Sequence, residues 1–315
     1  MVGLGAEIDV PMVAVRAVHF AATATAAGAL LFRAVVADPA LRAAEQIAGV
    51  IDGRIRLLAW TGFLIAVVSG LLWLLLQASA MSGQTFAEAV KSGTIPTLIN
   101  QTQFGLVSKI RLGLAVGLAI CLTLDRRRLP RQLALGSALC LVAAIAWTGH
   151  AASTPFELGY LHVLGDALHL CAAAAWIGGL MSLALLMHIV RRYHVSAGAA
   201  LQLDAVRRFS SLGIVSVGTL VVSGMINAWI LVGSFRALFV TDYGWVLMLK
   251  LAAFIAMVAL AAANRFWLTP RLAKPGGDAP RCLMRNTVAE IVLALFVFAL
   301  VGLLGTMHPA AHLMK

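Results

Sequence analysis

Long apolar runs separated by short polar stretches dominate the pattern of this chain. Eight of them have about 20 residues, the length that an α-helix needs to cross a hydrocarbon core of roughly 30 Å. No strand-like alternation competes with these runs, and backbone hydrogen bonding in lipid favours helices. The predicted spans are 11–36, 57–79, 104–124, 132–150, 162–190, 209–232, 244–268 and 287–307. The pattern therefore predicts an all-α polytopic membrane protein with eight transmembrane helices.

Composition supports this class. Hydrophobic residues make up 61% of the 315 and charged residues only 12%, which is far from the balance of a soluble domain. The residues before the first run carry Glu7 and Asp9 but no lysine or arginine, so we expect a retained span and not a cleaved signal peptide. No nucleophile and base pair or phosphate-binding loop is visible, so we expect neither an enzyme nor an ATP-driven pump.

The positive charges predict the orientation of the chain, because basic residues in short loops are held on the cytoplasmic side. The basic residues at the connections after the odd-numbered spans are Arg33, Arg42, Arg54, Arg56, Arg126, Arg127, Arg128, Arg131, Arg191, Arg192, Arg207, Arg208, Arg265, Arg271, Lys274, Arg281 and Arg285. The opposite loops and tail hold only Lys91, Arg236 and Lys315. We therefore expect both termini to be periplasmic, and we assign the net charge of +11 to topology and not to nucleic-acid binding.

The chain also aligns with itself. Residues 102–126 match residues 241–265 without a gap, and the motif Val-Val-Ser-Gly occurs at both 67–70 and 221–224. The matched pairs include Thr102 with Thr241, Gly105 with Gly244, Arg111 with Lys250, Arg16 with Asp166, and His19 with His169. We expect two tandem four-helix units, residues 1–150 and 151–315, which share one orientation because four is an even number. Chance similarity between alanine- and leucine-rich segments is the alternative.

The histidines are distributed unevenly between the two faces of the membrane. Six of the eight fall at or near the outer face, whereas His188 and His194 belong to the cytoplasmic face and are left out of the site. On the fifth span His162, Asp166 and His169 follow at offsets of four and three, along one stripe of a helix. Imidazole suits copper, zinc and haem iron, and a carboxylate can bind the ion or orient a ring. The candidate metal ligands are His19, His150, His162, Asp166, His169, His308 and His312.

Further polar and sulfur side chains lie at a similar depth on the sixth and seventh spans. A cation at mid-bilayer costs about 2.5 to 3.5 kcal/mol, so Lys250 needs a partner such as Asp166 or a wet cavity. Positive charge beside a cation site is unfavourable, and we therefore expect pairing or gating from this lysine, not ligation. The candidate pathway or gating residues are Met225, Asn227, Met248 and Lys250, although methionines in helices more often serve packing.

These residues resemble the copper resistance protein D family, the CopD or PcoD type of bacterial inner-membrane protein, over most of the chain. The motifs that carry the resemblance are Arg16 with His19, residues 147–151 (WTGHA), the stripe on the fifth span followed by residues 176–180 (WIGGL), residues 208–210 (RFS), residues 223–224 (SG) with Asn227, residues 243–244 (YG) with Lys250, residues 264–265 (NR), Glu290, and Pro309 with His312.

The resemblance implies that the protein takes periplasmic copper and moves it toward the cytoplasm, commonly beside a separate soluble copper carrier of the CopC type. The residues themselves leave two alternatives. One is an electron-transfer protein that holds haem b between His19 and His150 and between His169 and His308. The other is a membrane scaffold with structural histidines. The inner half of the bundle is the weak point for transport, since no clear ladder of copper ligands is visible there.

Overall fold

In the part of the chain that the structure describes, eight helices are long and apolar enough to cross a membrane, which confirms the predicted class. The computed structural model describes residues 9–42, 44–83, 85–125, 127–149, 156–193, 198–272 and 277–313. Within these ranges the spanning helices are α1 (Val10–Leu41), α2 (Glu45–Ser82), α3 (Gln103–Thr123), α4 (Arg128–Thr148), α5 (Phe156–Arg192), α6 (Gly198–Val232), α7 (Asp242–Arg271) and α8 (Ala279–Leu304).

Several helices are longer than their apolar cores, which alone define the predicted spans. Helix α2 begins at Glu45, 12 residues before the predicted Leu57, and α6 begins at Gly198, 11 residues before the predicted Phe209. Both extensions contain arginines, whose long side chains can reach the headgroup region while the backbone stays helical. We call the end where α1, α3, α5 and α7 begin the histidine end, and the opposite end, to which these extensions belong, the arginine end.

Helices α1 and α5 form the centre of the bundle. In their apolar windows 78% and 67% of the residues are buried, against 11% for α7. The two helices cross at Gly28 and Gly178, and a Cβ added at Gly28 would lie 2.1 Å from the backbone oxygen of Ala174 and 2.6 Å from the Cα of Gly178. Glycine thus allows backbone contact at the crossing, as small residues do between membrane helices.

The two proposed units make matching local contacts. The hydroxyl of Thr102 caps α3 by accepting from the N–H of Gly105 at 3.0 Å, and that of Thr241 caps α7 by accepting from the N–H of Gly244 at 3.0 Å. Gly28 and Gly178 are also separated by 150 residues, as are His19 and His169. The duplication itself stays a prediction, but positions that it matches occupy comparable environments.

A buried ion-pair network ties the first four helices together at the arginine end. The guanidinium of Arg33 donates to both oxygens of Asp52, at 2.6 and 3.0 Å, and also to Asp125. Arg131 on α4 donates to Asp52 at 2.8 Å. Arg33 begins a π-helical segment, Arg33–Ala37, near the end of α1. Because Arg33 and Asp125 are almost fully buried, this network fixes how α1, α2, α3 and α4 meet.

Candidate functional site

The stripe on α5 lies inside the bundle near the histidine end. His162 is buried with 1% of its surface exposed, and Asp166 and His169 are partly buried on the same side of the helix. Seven residues at 1.5 Å each separate the two histidines by about 10 Å along the axis. Among the described residues, no three His, Cys, Asp or Glu side chains lie together closely enough to hold one metal ion.

The hydrogen bonds of His169 define which ring nitrogen carries the proton. Its Nδ1 lies 3.0 Å from the hydroxyl oxygen of Ser223 on α6, and that hydroxyl donates to the backbone oxygen of Thr219 at 2.5 Å. The serine hydrogen is therefore used, so Nδ1–H of the histidine donates to Ser223. Nε2 consequently keeps its lone pair, and no hydrogen-bond donor of the described residues fills it. This tautomer leaves Nε2 available to bind a metal ion.

Polar groups of α6 and α7 surround Asp166. Asn227 donates from Nδ2 to a carboxylate oxygen of Asp166 at 3.2 Å. Lys250 on α7 lies close enough to interact electrostatically with both Asp166 and His169, and Tyr243 lies near the same carboxylate. The opposite charges of Lys250 and Asp166 partly offset each other in this cluster. No ion pair between these two described residues is within salt-bridge distance, so the pairing suggested from the sequence stays a prediction.

His19 is the residue that the proposed duplication matches with His169, but both of its ring nitrogens are engaged. Nδ1 lies 3.1 Å from the hydroxyl oxygen of Ser69, which itself donates to the backbone oxygen of Ile65 at 2.6 Å. By the same reasoning Nδ1–H donates to Ser69, and Nε2 accepts from the guanidinium of Arg111. His19 can bind a metal only after Arg111 moves away.

The remaining predicted residues are spread over the histidine end. His308 is exposed just beyond α8, and His312 lies on the short helix Ala310–Leu313. His150 lies outside the described residues. Met225 is 69% exposed on the outer surface of α6, and Met248 is partly buried on α7. The structure therefore groups Asp166, His169, Asn227 and Lys250, and it leaves His308 and Met225 outside that group.

A polar cluster nearer the arginine end was not among the predicted site residues. Glu290 on α8 is 1% exposed; one carboxylate oxygen accepts from Asn264 at 2.8 Å, and the other has no hydrogen-bond partner among the described residues. Asn286 donates to the side-chain oxygen of Asn264 at 2.9 Å. Glu290 lines a largely apolar cavity of about 240 Å³ between α5, α6, α7 and α8. A lone acid within an apolar run was the signal in the sequence that could have identified it.

The fold and these clusters define a polytopic α-helical membrane protein with a polar histidine cluster in each half. The model of Copper resistance protein D matches residues 203–304, and that of the Copper resistance protein D-like N-terminal domain matches residues 7–160. Copper resistance protein D of Pseudomonas syringae pv. tomato is 32% identical over 85% of this chain and 88% of its own length. The chain belongs to the copper resistance protein D family.

Two further relatives extend the likeness. Inner membrane protein YebZ of Escherichia coli K12 is 28% identical over 94% of this chain and 98% of its own length. Copper transport protein CutJ of Bacillus subtilis strain 168 is 32% identical over 65% of this chain, which spans only 38% of that longer protein. No solved structure matches the chain significantly.

Proposed function

We propose that the protein binds periplasmic copper within the inner membrane and transfers it toward the cytoplasm. Its relatives are named for copper resistance, copper transport and the inner membrane, which supports copper handling at that membrane. Imidazole and carboxylate ligands suit copper(II), which heads the affinity order of divalent first-row ions, and imidazole also binds copper(I).

The observation that carries this proposal is the open Nε2 of His169. Ser223 holds the ring in the metal-binding tautomer, and Asp166 lies one turn away on the same face of α5. His162 continues the stripe toward the histidine end. A copper ion bound at Nε2 of His169 would lie among groups whose existing charges cancel, since Asp166 offsets Lys250.

The other ligands enter as parts of the same proposal. His150 precedes α5 by six residues in the sequence, and His308 and His312 follow α8. In this proposal all three would capture copper that arrives at the histidine end. His19 would bind copper only in a state in which Arg111 has moved away from its Nε2. Asn227 and Lys250 control the access of copper to Asp166, with Met225 and Met248 as neighbouring soft groups.

Orientation and partners complete the proposal. In this proposal the arginine-rich connections favour a cytoplasmic arginine end, so the histidine end and both termini would face the periplasm. A separate soluble carrier of the CopC type would deliver copper to this face. Glu290, in the cavity between α5, α6, α7 and α8, would provide the next polar group on the way to the cytoplasm. It lies in the half of the bundle where the sequence showed no clear series of copper ligands.

Metal analysis of purified protein tests the proposal. We expect copper to co-purify or to be taken up on titration, and the double variant His162→Ala, His169→Ala to lose most of it. The matched control is His188→Ala, which removes an exposed histidine at the other end of the same helix. Unchanged copper content in the double variant would remove the α5 stripe from the site.

An optical spectrum separates copper from the haem alternative. A strong Soret band in the purified protein, lost in His169→Ala, would favour haem b held by two histidines over copper. If the purified protein contains neither copper nor haem, the histidines are structural groups. For transfer, copper entry into proteoliposomes should be slower for Glu290→Ala than for the unchanged protein.

A further inference from the structure

Two guanidinium groups are buried together near the histidine end of the first unit. Arg16 on α1 is 8% exposed, and its Cζ lies 4.9 Å from the ring centroid of Trp73 on α2. Arg111 on α3 contacts Nε2 of His19, whose ring lies 5.5 Å from that of the same tryptophan. Both arginines therefore surround Trp73 and His19, and the copper proposal uses this His19 ring only after Arg111 has moved away.

Among the described residues, no acidic side chain balances these two charges. Within the described ranges, neither Arg16 nor Arg111 has a carboxylate within ion-pairing distance, whereas Arg33 at the arginine end has two. The second unit has Asp166 at the position that matches Arg16, so its cluster holds its own counter-charge. In the first unit the same position carries a second cation instead.

Three hydrogen-bond donors in this cluster find no acceptor in the part of the chain that the structure describes. They are Nε of Arg16, Nε of Arg111 and the indole Nε1 of Trp73, each buried and without a partner among the described residues. Buried N–H groups are paired in most proteins, so three unpaired donors on neighbouring side chains indicate a missing acceptor. Trp73 is 1% exposed, so bulk water does not serve it.

The end of α8 supplies only part of the compensation. A Cβ added at Gly305 would lie 2.0 Å from an Nη atom of Arg16, so this guanidinium rests against the carbonyl end of that helix. A helix C-terminus carries roughly half a negative charge, against two full positive charges here. Charges buried in a membrane protein without a partner are costly, and the remaining imbalance is more than one unit.

We propose that a small anion binds between Arg16 and Arg111 beside the indole N–H of Trp73. Guanidinium groups and an indole offer only donors, which suits an acceptor without hydrogens such as a halide or a phosphate oxygen. The anion comes either from solution or from the phosphate of a lipid headgroup. Its binding does not depend on copper, so the two proposals fail independently.

Thermal unfolding in two salts tests this site. Full-length protein in a nonionic detergent is heated in sodium chloride and in sodium gluconate of equal ionic strength, since gluconate is too bulky to be enclosed. We expect chloride to raise the melting temperature by about 3 °C or more through preferential binding to the folded state. Arg111→Gln should abolish this difference, whereas Lys109→Gln, an exposed lysine on the same helix, and Lys250→Gln should retain it. A chloride effect that persists in Arg111→Gln would overturn the proposal.

A second unfolding experiment, with added lipid, distinguishes a dissolved anion from a lipid phosphate. Phosphatidylglycerol added in gluconate should raise the melting temperature only if a lipid phosphate fills the site, and Arg111→Gln should again remove the effect. Stabilisation by neither chloride nor this lipid would also overturn the proposal.

If Arg111→Gln does not fold, tryptophan fluorescence of the folded protein provides a second test of the anion site. Iodide quenches the fluorescence of a nearby indole. The difference between the spectra of the unchanged protein and Trp73→Phe gives the emission of this one residue among the seven tryptophans. We expect iodide to quench the Trp73 component despite its burial, and chloride to compete with that quenching. A Trp73 component that iodide leaves unquenched, in protein that phosphatidylglycerol does not stabilise either, would overturn the proposal.

Discussion

Gly28 and Gly178 touch through their backbones where the two central helices cross. A Cβ on Gly178 would lie 2.4 Å from the backbone oxygen of Ala24 and 2.8 Å from the Cα of Gly28, which mirrors the contacts of Gly28 with α5. Each glycine is thus the neighbour of the other, as equivalent residues are at a two-fold interface.

Substitution at this crossing should destabilise the fold. Gly28→Ala forces the two backbones apart, and we expect a loss of about 1–3 kcal/mol, which is typical of overpacking. Gly178→Ala should cost a similar amount, and the double variant should cost less than the sum, because one separation accommodates both methyl groups. Thermal unfolding in detergent measures the effect. Gly113→Ala, with nothing within 4 Å of the added Cβ, is the control and should not destabilise.

Removal of Arg33 should be more damaging than removal of an exposed partner. Arg33→Met leaves Asp125, only 2% exposed, without its main counter-charge, and breaking a buried ion pair typically costs about 3–5 kcal/mol. Arg33→Met combined with Asp125→Leu should recover part of this loss in a double-mutant cycle. Arg208→Gln breaks the exposed pair with Asp204 and should cost less than about 1 kcal/mol. Equal losses for the two single variants would contradict the assignment of the network.

The two serine–histidine pairs should respond differently to the same change. Ser223→Ala removes the acceptor that holds the tautomer of His169, and we expect copper affinity to fall about 10- to 100-fold, as for other groups that orient a metal-binding histidine. Ser69→Ala makes the equivalent change beside His19, whose Nε2 is already occupied, and should leave copper affinity unchanged. Copper titration of both variants checks this, and a larger loss in Ser69→Ala would identify His19 as the ligand.

The buried carboxylate of Glu290 should lower the stability of the folded protein. Glu290→Gln keeps an acceptor for Asn264 and removes a buried carboxylate oxygen that has no partner among the described residues. We therefore expect the melting temperature to rise or stay the same. Glu290→Ala leaves Asn264 without that acceptor and enlarges the cavity, and it should lower the melting temperature. A fall for Glu290→Gln as large as that for Glu290→Ala would show that the carboxylate has a counter-charge.

The hydropathy pattern was sufficient to predict eight helices, because about 20 apolar residues in succession have few other stable conformations. The ends of α2 and α6 were not predictable in this way, since the arginine-containing turns that extend them are polar. The Gly28–Gly178 crossing was not predictable either, because small residues occur on several faces of both helices and only the packing shows which of them meet.

The candidate site was predictable in composition but not in detail. Helical spacing places His162, Asp166 and His169 on one face, but it also separates the two rings along the axis, so periodicity alone cannot assemble a complete ligand set. Sequence matching paired His19 with His169 as equals. Only the positions of Arg111 and Ser223 show that one ring has lost its free lone pair while the other retains it.

The contact between Gly28 and Gly178 also restricts where an ion could travel. Two polypeptide backbones meet at the middle of the molecule, so no water-filled pore can follow its central axis at that level. Any ion that crossed would therefore have to take an eccentric route through one of the flanking bundles, unlike in channels whose subunits surround a shared opening.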